Sequence, residues 1–269
     1  MIRILIIGAA GRMGRRLVSL TAEAPDLTLT GAIEYSGCPL LGEDAGTVAG
    51  GASLGVALTD DIAAAVADTD VTIDFSTAAT VLANARTAVA ADCGVVIGTT
   101  AMPAADRESL RQLAETGRIV FAPNMSVGVN LLFKLCAEAA SILDEDYDIE
   151  IVEMHHNQKK DAPSGTAERL GEILAETRDL DYRSDTRHGR EGMAGARTKR
   201  EIGMHALRGG DVVGDHTVIF ATGGERLELT HKAGSRDTFA RGALRAARFL
   251  MTAEPGLYDM QAVLGLDNT

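Results

Sequence analysis

The sequence predicts an α/β protein: a domain built on a parallel sheet, joined to an α+β domain with an open mixed sheet. Three observations predict it. Short apolar runs alternate with helical patterns up to residue 126, the opening run feeds a glycine-rich turn, and three β-like runs follow one another after residue 200.

Ile2 to Ile7 reads as a buried parallel strand. It leads into Gly8-Ala9-Ala10-Gly11-Arg12-Met13-Gly14, and a helical pattern continues through Leu17, Val18 and Leu20. Strand, glycine turn and helix start are what a dinucleotide pyrophosphate requires, so this half is Rossmann-like and Gly8 to Met13 are its candidate cradle, with a structural glycine turn that holds no ligand as the alternative. The spacing is GxxGxxG, a variant of the commoner fingerprint. Leu27 to Ile33 is a second strand ending in Glu34, 20 positions after Gly14, where a carboxylate binds the adenosine ribose hydroxyls. Glu34 disfavours a 2′-phosphate and Tyr35 offers it no cation, so NADH is the expected cofactor. Arg12 leaves NADPH possible.

The rhythm continues with a helix over 61–67, a strand over 71–75, a helix over 78–91 and a strand over 95–97. A helix over 104–116 and a strand over 119–121 follow. Ligands of open parallel sheets lie beyond the carboxyl ends of the strands. Gly98-Thr99-Thr100 and Ala122-Pro123-Asn124-Met125 therefore line the expected nicotinamide side, with ordinary turn chemistry as the alternative.

After Ser126 the pattern changes. A helix over 129–143 leads to a strand through Ile149, Ile151 and Val152, then to the polar tract His155 to Asp161. Ser164 is a good N-cap for a helix over 166–177. Helix starts attract anions, so Ser164, Gly165 and Thr166 form a seat for a carboxylate beside groups that can move protons. A hydrogen-bonded structural histidine and solvated lysines are the alternative. Residues 179–200 read as a long loop with solvated arginines, Arg183, Arg187, Arg190 and Arg197, help in holding an acidic ligand being the alternative. The runs over 201–207, 216–221 and 226–231 form the second sheet, and a helix over 238–251 returns to the first domain before a short tail. The expected domains are thus 1–126 with 237–269 for the dinucleotide, and 127–236 for substrate and self-association.

Composition narrows the function. A formal net charge of −12 argues against a nucleic-acid or anionic-membrane surface. Cys38, Cys93 and Cys136 are far apart with no CxxC pair, which suggests reduced thiols in a cytoplasmic protein and no zinc site. No apolar run approaches a membrane span.

The run His155-His156-Asn-Gln-Lys159-Lys-Asp161-Ala-Pro-Ser164-Gly165-Thr166-Ala167 resembles the signature of the dihydrodipicolinate reductase family. The likeness extends over nearly the whole chain, through Gly8 to Gly14, Asp74-Phe-Ser, Gly98 to Thr100, Asn124 to Asn130, Arg208 to Gly214 and His231 to Arg236. It implies reduction of a cyclic unsaturated dicarboxylate by NADH or NADPH, in lysine and diaminopimelate biosynthesis, by a homotetramer. It also implies His155 as proton donor or acceptor, Lys159 as second proton donor, His156 as a substrate contact, and Gly165 with Thr166 as the carboxylate grip. Tyr35 stands where many members have arginine, and Met125 where many have an aromatic residue. Another nicotinamide-dependent oxidoreductase of small amino or oxo acids, or a dinucleotide sensor without catalysis, are the competing readings.

Overall fold

The computed structural model describes residues 1–100 and 102–266; the last three residues of the expected first domain lie outside them. The chain divides into two compact units, residues 1–127 with 236–269, and residues 128–235.

The first unit follows the alternation of its sequence: β1 (Ile2–Ile7), α1 (Arg12–Glu23), β2 (Leu27–Ile33), α2 (Ala45–Val48), β3 (Leu58–Thr59), α3 (Ile62–Ala65), β4 (Val71–Asp74), α4 (Val81–Ala90), β5 (Gly94–Ile97), α5 (Ala104–Leu113) and β6 (Arg118–Phe121). The next helix, α6 (Val127–Ile142), carries the chain into the second unit. That unit contains β7 (Asp148–His155), α7 (Gly165–Thr177), α8 (Tyr182–Asp185), β8 (Thr186–His188), β9 (Ile202–Arg208), β10 (Gly214–Thr222) and β11 (Glu225–Ala233). The chain returns to the first unit as α9 (Asp237–Leu250), β12 (Gly256–Tyr258) and α10 (Met260–Leu264).

The first sheet has the order β12-β6-β5-β4-β1-β2-β3, and every pairing in it is parallel. Ile4, Ile6, Val71, Ile73, Val96 and Val120 fill one core with Leu17, Val18 and the buried stripe Ala240, Ala243, Ala247 and Leu250 of α9. Arg16 of α1 and Asp237 of α9 add a two-bond ion pair at 2.7 and 2.8 Å. Helix α4 starts three residues later than expected, because Ser76, Thr77 and Thr80 satisfy one another in a polar turn before it.

The second sheet has the order β11-β10-β7-β9-β8 and is mixed: β10 runs antiparallel to both neighbours, while β7-β9 and β9-β8 are parallel. Helices α6 and α7 cover one face, where Leu132, Cys136, Leu170 and Leu174 meet Ile149, Ile151, Ile202, Met204, Val218 and Phe220. The predicted fold class is therefore the observed one.

Two expectations need correction. The stretch read as a loop over 179–200 contains α8, capped by the Asp181 side chain, and β8, which extends the sheet. Two of its arginines are not solvated: Arg190 binds Glu150 and Glu201, and Arg197 reaches Asp148, Glu150 and three backbone carbonyls. The tail contains β12, which pairs with β6. A three-residue strand shows no periodicity, and its neighbour's backbone supplies its order.

Candidate active site

In the second unit the face of the sheet that carries the core changes character at one end. Alternation puts Ile149, Ile151, Glu153 and His155 of β7 on the same face. On β10 the same holds for Phe220, Val218 and His216, with His216 opposite Glu153; on β9, Arg208 stands opposite His155. Apolar residues thus give way to charged and aromatic nitrogen-bearing ones across three adjacent strands.

Glu153 is the centre of that patch and has no solvent exposure. Its carboxylate lies 2.6 Å from His155 Nδ1, accepts two bonds of 2.9 Å from Arg208, and accepts the Ser164 N–H at 3.0 Å. Burial pushes the Glu153 carboxyl up, but the hydrogen bonds from His155 and Arg208 outweigh it and hold the group at about 2. Glu153 is therefore an anion at neutral pH. Arg208 also donates to the Asp161 carbonyl at 2.6 Å, which ties the sheet to the polar tract. There Lys159 Nζ holds the Asp161 carboxylate at 2.8 and 3.0 Å.

Ser164 caps α7 as the sequence predicts: its Oγ accepts the Ala167 N–H at 3.2 Å. The same oxygen is 3.0 Å from Nε2 of His216, whose ring meets that of His155 edge to face at 5.2 Å between centroids. Burial pushes His216 down to about 4, so it is neutral at neutral pH. A side chain at Gly214 would put its Cβ 3.0 Å from His155 Nε2, so glycine there keeps that nitrogen approachable. Gly165 is exposed and Thr166 partly so at the start of α7.

His155, Lys159, Ser164, Gly165 and Thr166 thus gather in one connected region. His156 lies just past the strand, where its carbonyl accepts the Lys159 N–H at 3.1 Å. Sequence reasoning missed Glu153, Arg208 and His216. The signal was present: the period-2 phase that buries Ile149 and Ile151 also buries an acid two residues on.

In the first unit, Gly8, Gly11 and Glu34 line a pocket of about 430 Å³, together with Tyr35, Phe75, Ser76 and Thr77. A Cβ at Gly14 would lie 2.0 Å from the Gly8 carbonyl oxygen, so this turn admits only glycine. The Glu34 carboxylate accepts the Ala10 N–H at 2.7 Å, which ties the end of β2 to the glycine loop. Ala9 is buried, while Arg12 is exposed and Met13 half-buried at the loop's edge. Asp74, 1 % exposed at the end of β4, accepts from the Ser76 N–H and Oγ at 2.8 and 2.6 Å, and from Asn84 at 2.8 Å. Thr99 Oγ1 reaches it at 3.4 Å, and burial pushes this carboxyl up. The turns after β4 and β5 are thereby clipped together. Gly98 and Thr99 are buried and Thr100 is exposed; Ala122 and Met125 are buried, Pro123 is exposed and Asn124 half-buried. Met125 packs its side chain into the core of this unit.

Comparison with known proteins follows the same division. Residues 2–125 match the family model described as dihydrodipicolinate reductase, N-terminus, and residues 128–264 the model of its C-terminus. A 4-hydroxy-tetrahydrodipicolinate reductase of Syntrophotalea carbinolica is 52% identical over 99% of this chain and 100% of its own length. One from Geobacter metallireducens is 50% identical with the same coverage. Among solved structures, a dipicolinate-bound dihydrodipicolinate reductase from Paenisporosarcina sp. TG-14 superimposes with a TM-score of 0.78 at 26% identity, covering 96% of this chain and 97% of that one. Signature, two-sheet fold and full-length identity agree, and the chain belongs to the dihydrodipicolinate reductase family.

Proposed function

We propose that this chain converts 4-hydroxy-tetrahydrodipicolinate to tetrahydrodipicolinate, the hydroxyl leaving as water and the resulting ring double bond being reduced with NADH or NADPH, a step of lysine and diaminopimelate biosynthesis. The observation that carries the reading is 52% identity, over the full length of the relative, to a reductase of that name. The dipicolinate in the Paenisporosarcina protein, a ring dicarboxylate, is in keeping with it.

The first unit fits a nicotinamide dinucleotide: Gly8, Ala9, Ala10, Gly11, Arg12 and Met13 would hold the pyrophosphate, and Glu34 the ribose. Gly98 to Thr100 and Ala122 to Met125 would flank the nicotinamide, which when bound supplies the hydride. Glu34 makes NADH the preferred form.

The proton is the work of this chain's own residues. Glu153, held ionised by Arg208, keeps a hydrogen on His155 Nδ1 and leaves Nε2 as the exchanging atom. Charged, His155 donates from Nε2 to the ring carbon next to the one reduced. Positioned acids of this kind contribute about 10²- to 10⁴-fold. Lys159 exchanges the exposed Asp161 carboxylate for one of the substrate's and stands as second donor. His156 adds a substrate contact, and Ser164, Gly165 and Thr166 seat a carboxylate at the start of α7.

The same reading makes the enzyme a cytoplasmic homotetramer. The cysteines are all free thiols, and the sheet face away from α6 and α7 carries part-exposed Val152, Met154, Leu207 and Ile219. Among the described residues no helix is long and apolar enough to cross a membrane. Light scattering of the purified chain measures the subunit count.

The test is loss of NADH absorbance when the product of dihydrodipicolinate synthase is supplied in a coupled assay. Consumption is expected. Retained NADH binding without consumption would favour a dinucleotide sensor.

A further inference from the structure

His216 and Ser164 are 3 % and 2 % exposed, and one hydrogen lies between His216 Nε2 and Ser164 Oγ. Which group owns it follows from the rest of the ring. His216 Nδ1 is buried and has no hydrogen-bond partner among the described residues. Were Ser164 the donor, the neutral ring would carry its hydrogen on Nδ1, a buried N–H with no acceptor. With the hydrogen on Nε2, only a bare ring nitrogen is left unmatched. Among buried backbone groups, orphaned N–H donors are the rarer defect, and the same ordering applies to an imidazole.

The Ser164 oxygen then accepts twice, from His216 Nε2 and from the Ala167 N–H. A hydroxyl whose acceptor sites are filled in this way has its own hydrogen left to donate. The Ser164 N–H is bound to Glu153, so the hydroxyl is the side of Ser164 that remains for a ligand.

We infer that His216 is a positioning residue: by donating to Ser164, it makes the Ser164 hydroxyl a dedicated donor to a substrate carboxylate seated at the start of α7. The inference rests on the carboxylate seat described under Proposed function. His216 itself touches no substrate. The His155 ring, the Glu153 carboxylate, His231 and Lys159 are the titratable groups near it, and burial keeps His216 neutral beside them.

The experiment compares His216→Met, which removes the donor, with His216→Gln, whose amide nitrogen reaches about as far as the imidazole Nε2. Steady-state kinetics are measured in the coupled assay, with Ser164→Gly and the Ser164→Gly/His216→Met double variant alongside. Glycine is well tolerated at an N-cap, so that variant removes the hydroxyl without losing the helix. His216→Met is expected to raise KM for the dicarboxylate about tenfold, the effect of one hydrogen bond to a charged group. Its effects on kcat and on KM for NADH are smaller, His216→Gln restores most of the loss, and the double variant is no worse than Ser164→Gly. Equal loss in the Met and Gln variants, or an unchanged dicarboxylate KM in His216→Met while Ser164→Gly raises it, overturns the inference alone. An unchanged KM in Ser164→Gly overturns the carboxylate seat beneath it. Should the Met variant not fold, a ¹⁵N-histidine spectrum of the wild-type chain decides: a hydrogen on Nε2 supports the assignment and one on Nδ1 overturns it.

Discussion

His155 Nδ1 lies 2.6 Å from Oε2 of Glu153, a fully buried carboxylate that Arg208 grips at both oxygens. The imidazole is thereby held in one orientation, with its hydrogen toward the acid and Nε2 toward the gap above Gly214. If His155 transfers the proton, His155→Ala lowers kcat by about 10²- to 10⁴-fold. Fluorescence titration with NADH should show an affinity close to wild type.

Glu153→Gln keeps the shape of the side chain and removes its charge. Arg208 then faces a neutral partner, and a broken buried pair costs roughly 3–5 kcal/mol. Chemical denaturation should register that loss. A stability equal to wild type would mean that the Arg208 contact is replaced by solvent.

Lys159→Ala should cut turnover severely and leave NADH binding nearly unchanged, because among the described residues the Lys159 ammonium pairs with Asp161 alone. An equal fall in both would count against the division of roles between the two units.

Glu34→Ala should lower kcat/KM with NADH and raise it with NADPH, since the 2′-phosphate no longer meets a carboxylate. The Ala10 N–H loses its acceptor as well, so KM for NADH rises about tenfold on the hydrogen-bond scale of a charged acceptor. Parallel assays with the two cofactors measure the ratio.

Acid should destabilise the second unit in two stages. His216 sits at about 4 in the folded chain against an ordinary 6.5. As pH falls through that window the unfolded chain takes up a proton that the folded one refuses. Stability present above pH 6.5 is therefore lost towards pH 4, by up to about 3 kcal/mol. Burial lowers His231 as well, which adds in the same direction. Glu153, depressed from 4.5 to about 2, contributes stability that is full above 4.5 and lost as pH drops towards 2. Thermal melts of wild type and His216→Gln between pH 7 and 4 separate the first stage: the variant should show a shallower decline.

Legibility in the sequence followed the length of the signal. Long apolar or amphipathic runs, such as Ile2 to Ile7 or the helix containing Leu170 and Leu174, announced both their type and their place. The glycine turn and Glu34 stood out because nucleotide chemistry demands particular residues at particular intervals, and Gly8, Gly11 and Glu34 do line one pocket. Glu153 was not read because an acid in a strand is ordinarily solvent-facing; only its phase with Ile149 and Ile151, and partners 55 and 11 residues away, reveal it as buried. Arg190 and Arg197 illustrate the opposite case. Charge and glycine suggested a solvated loop, whereas long-range ion pairs to Glu150 and Glu201 hold it to the sheet.

The return of the chain to the first sheet bears on how it is made. Helix α9 fills one side of that sheet's core and β12 completes its edge, yet both follow the whole of the second unit in the sequence. On a translating ribosome, residues 128–235 emerge as an uninterrupted block that can collapse at once. The amino-terminal half must wait, the isoleucine- and valine-lined face of its sheet uncovered, until α9 and β12 have followed it out of the exit tunnel.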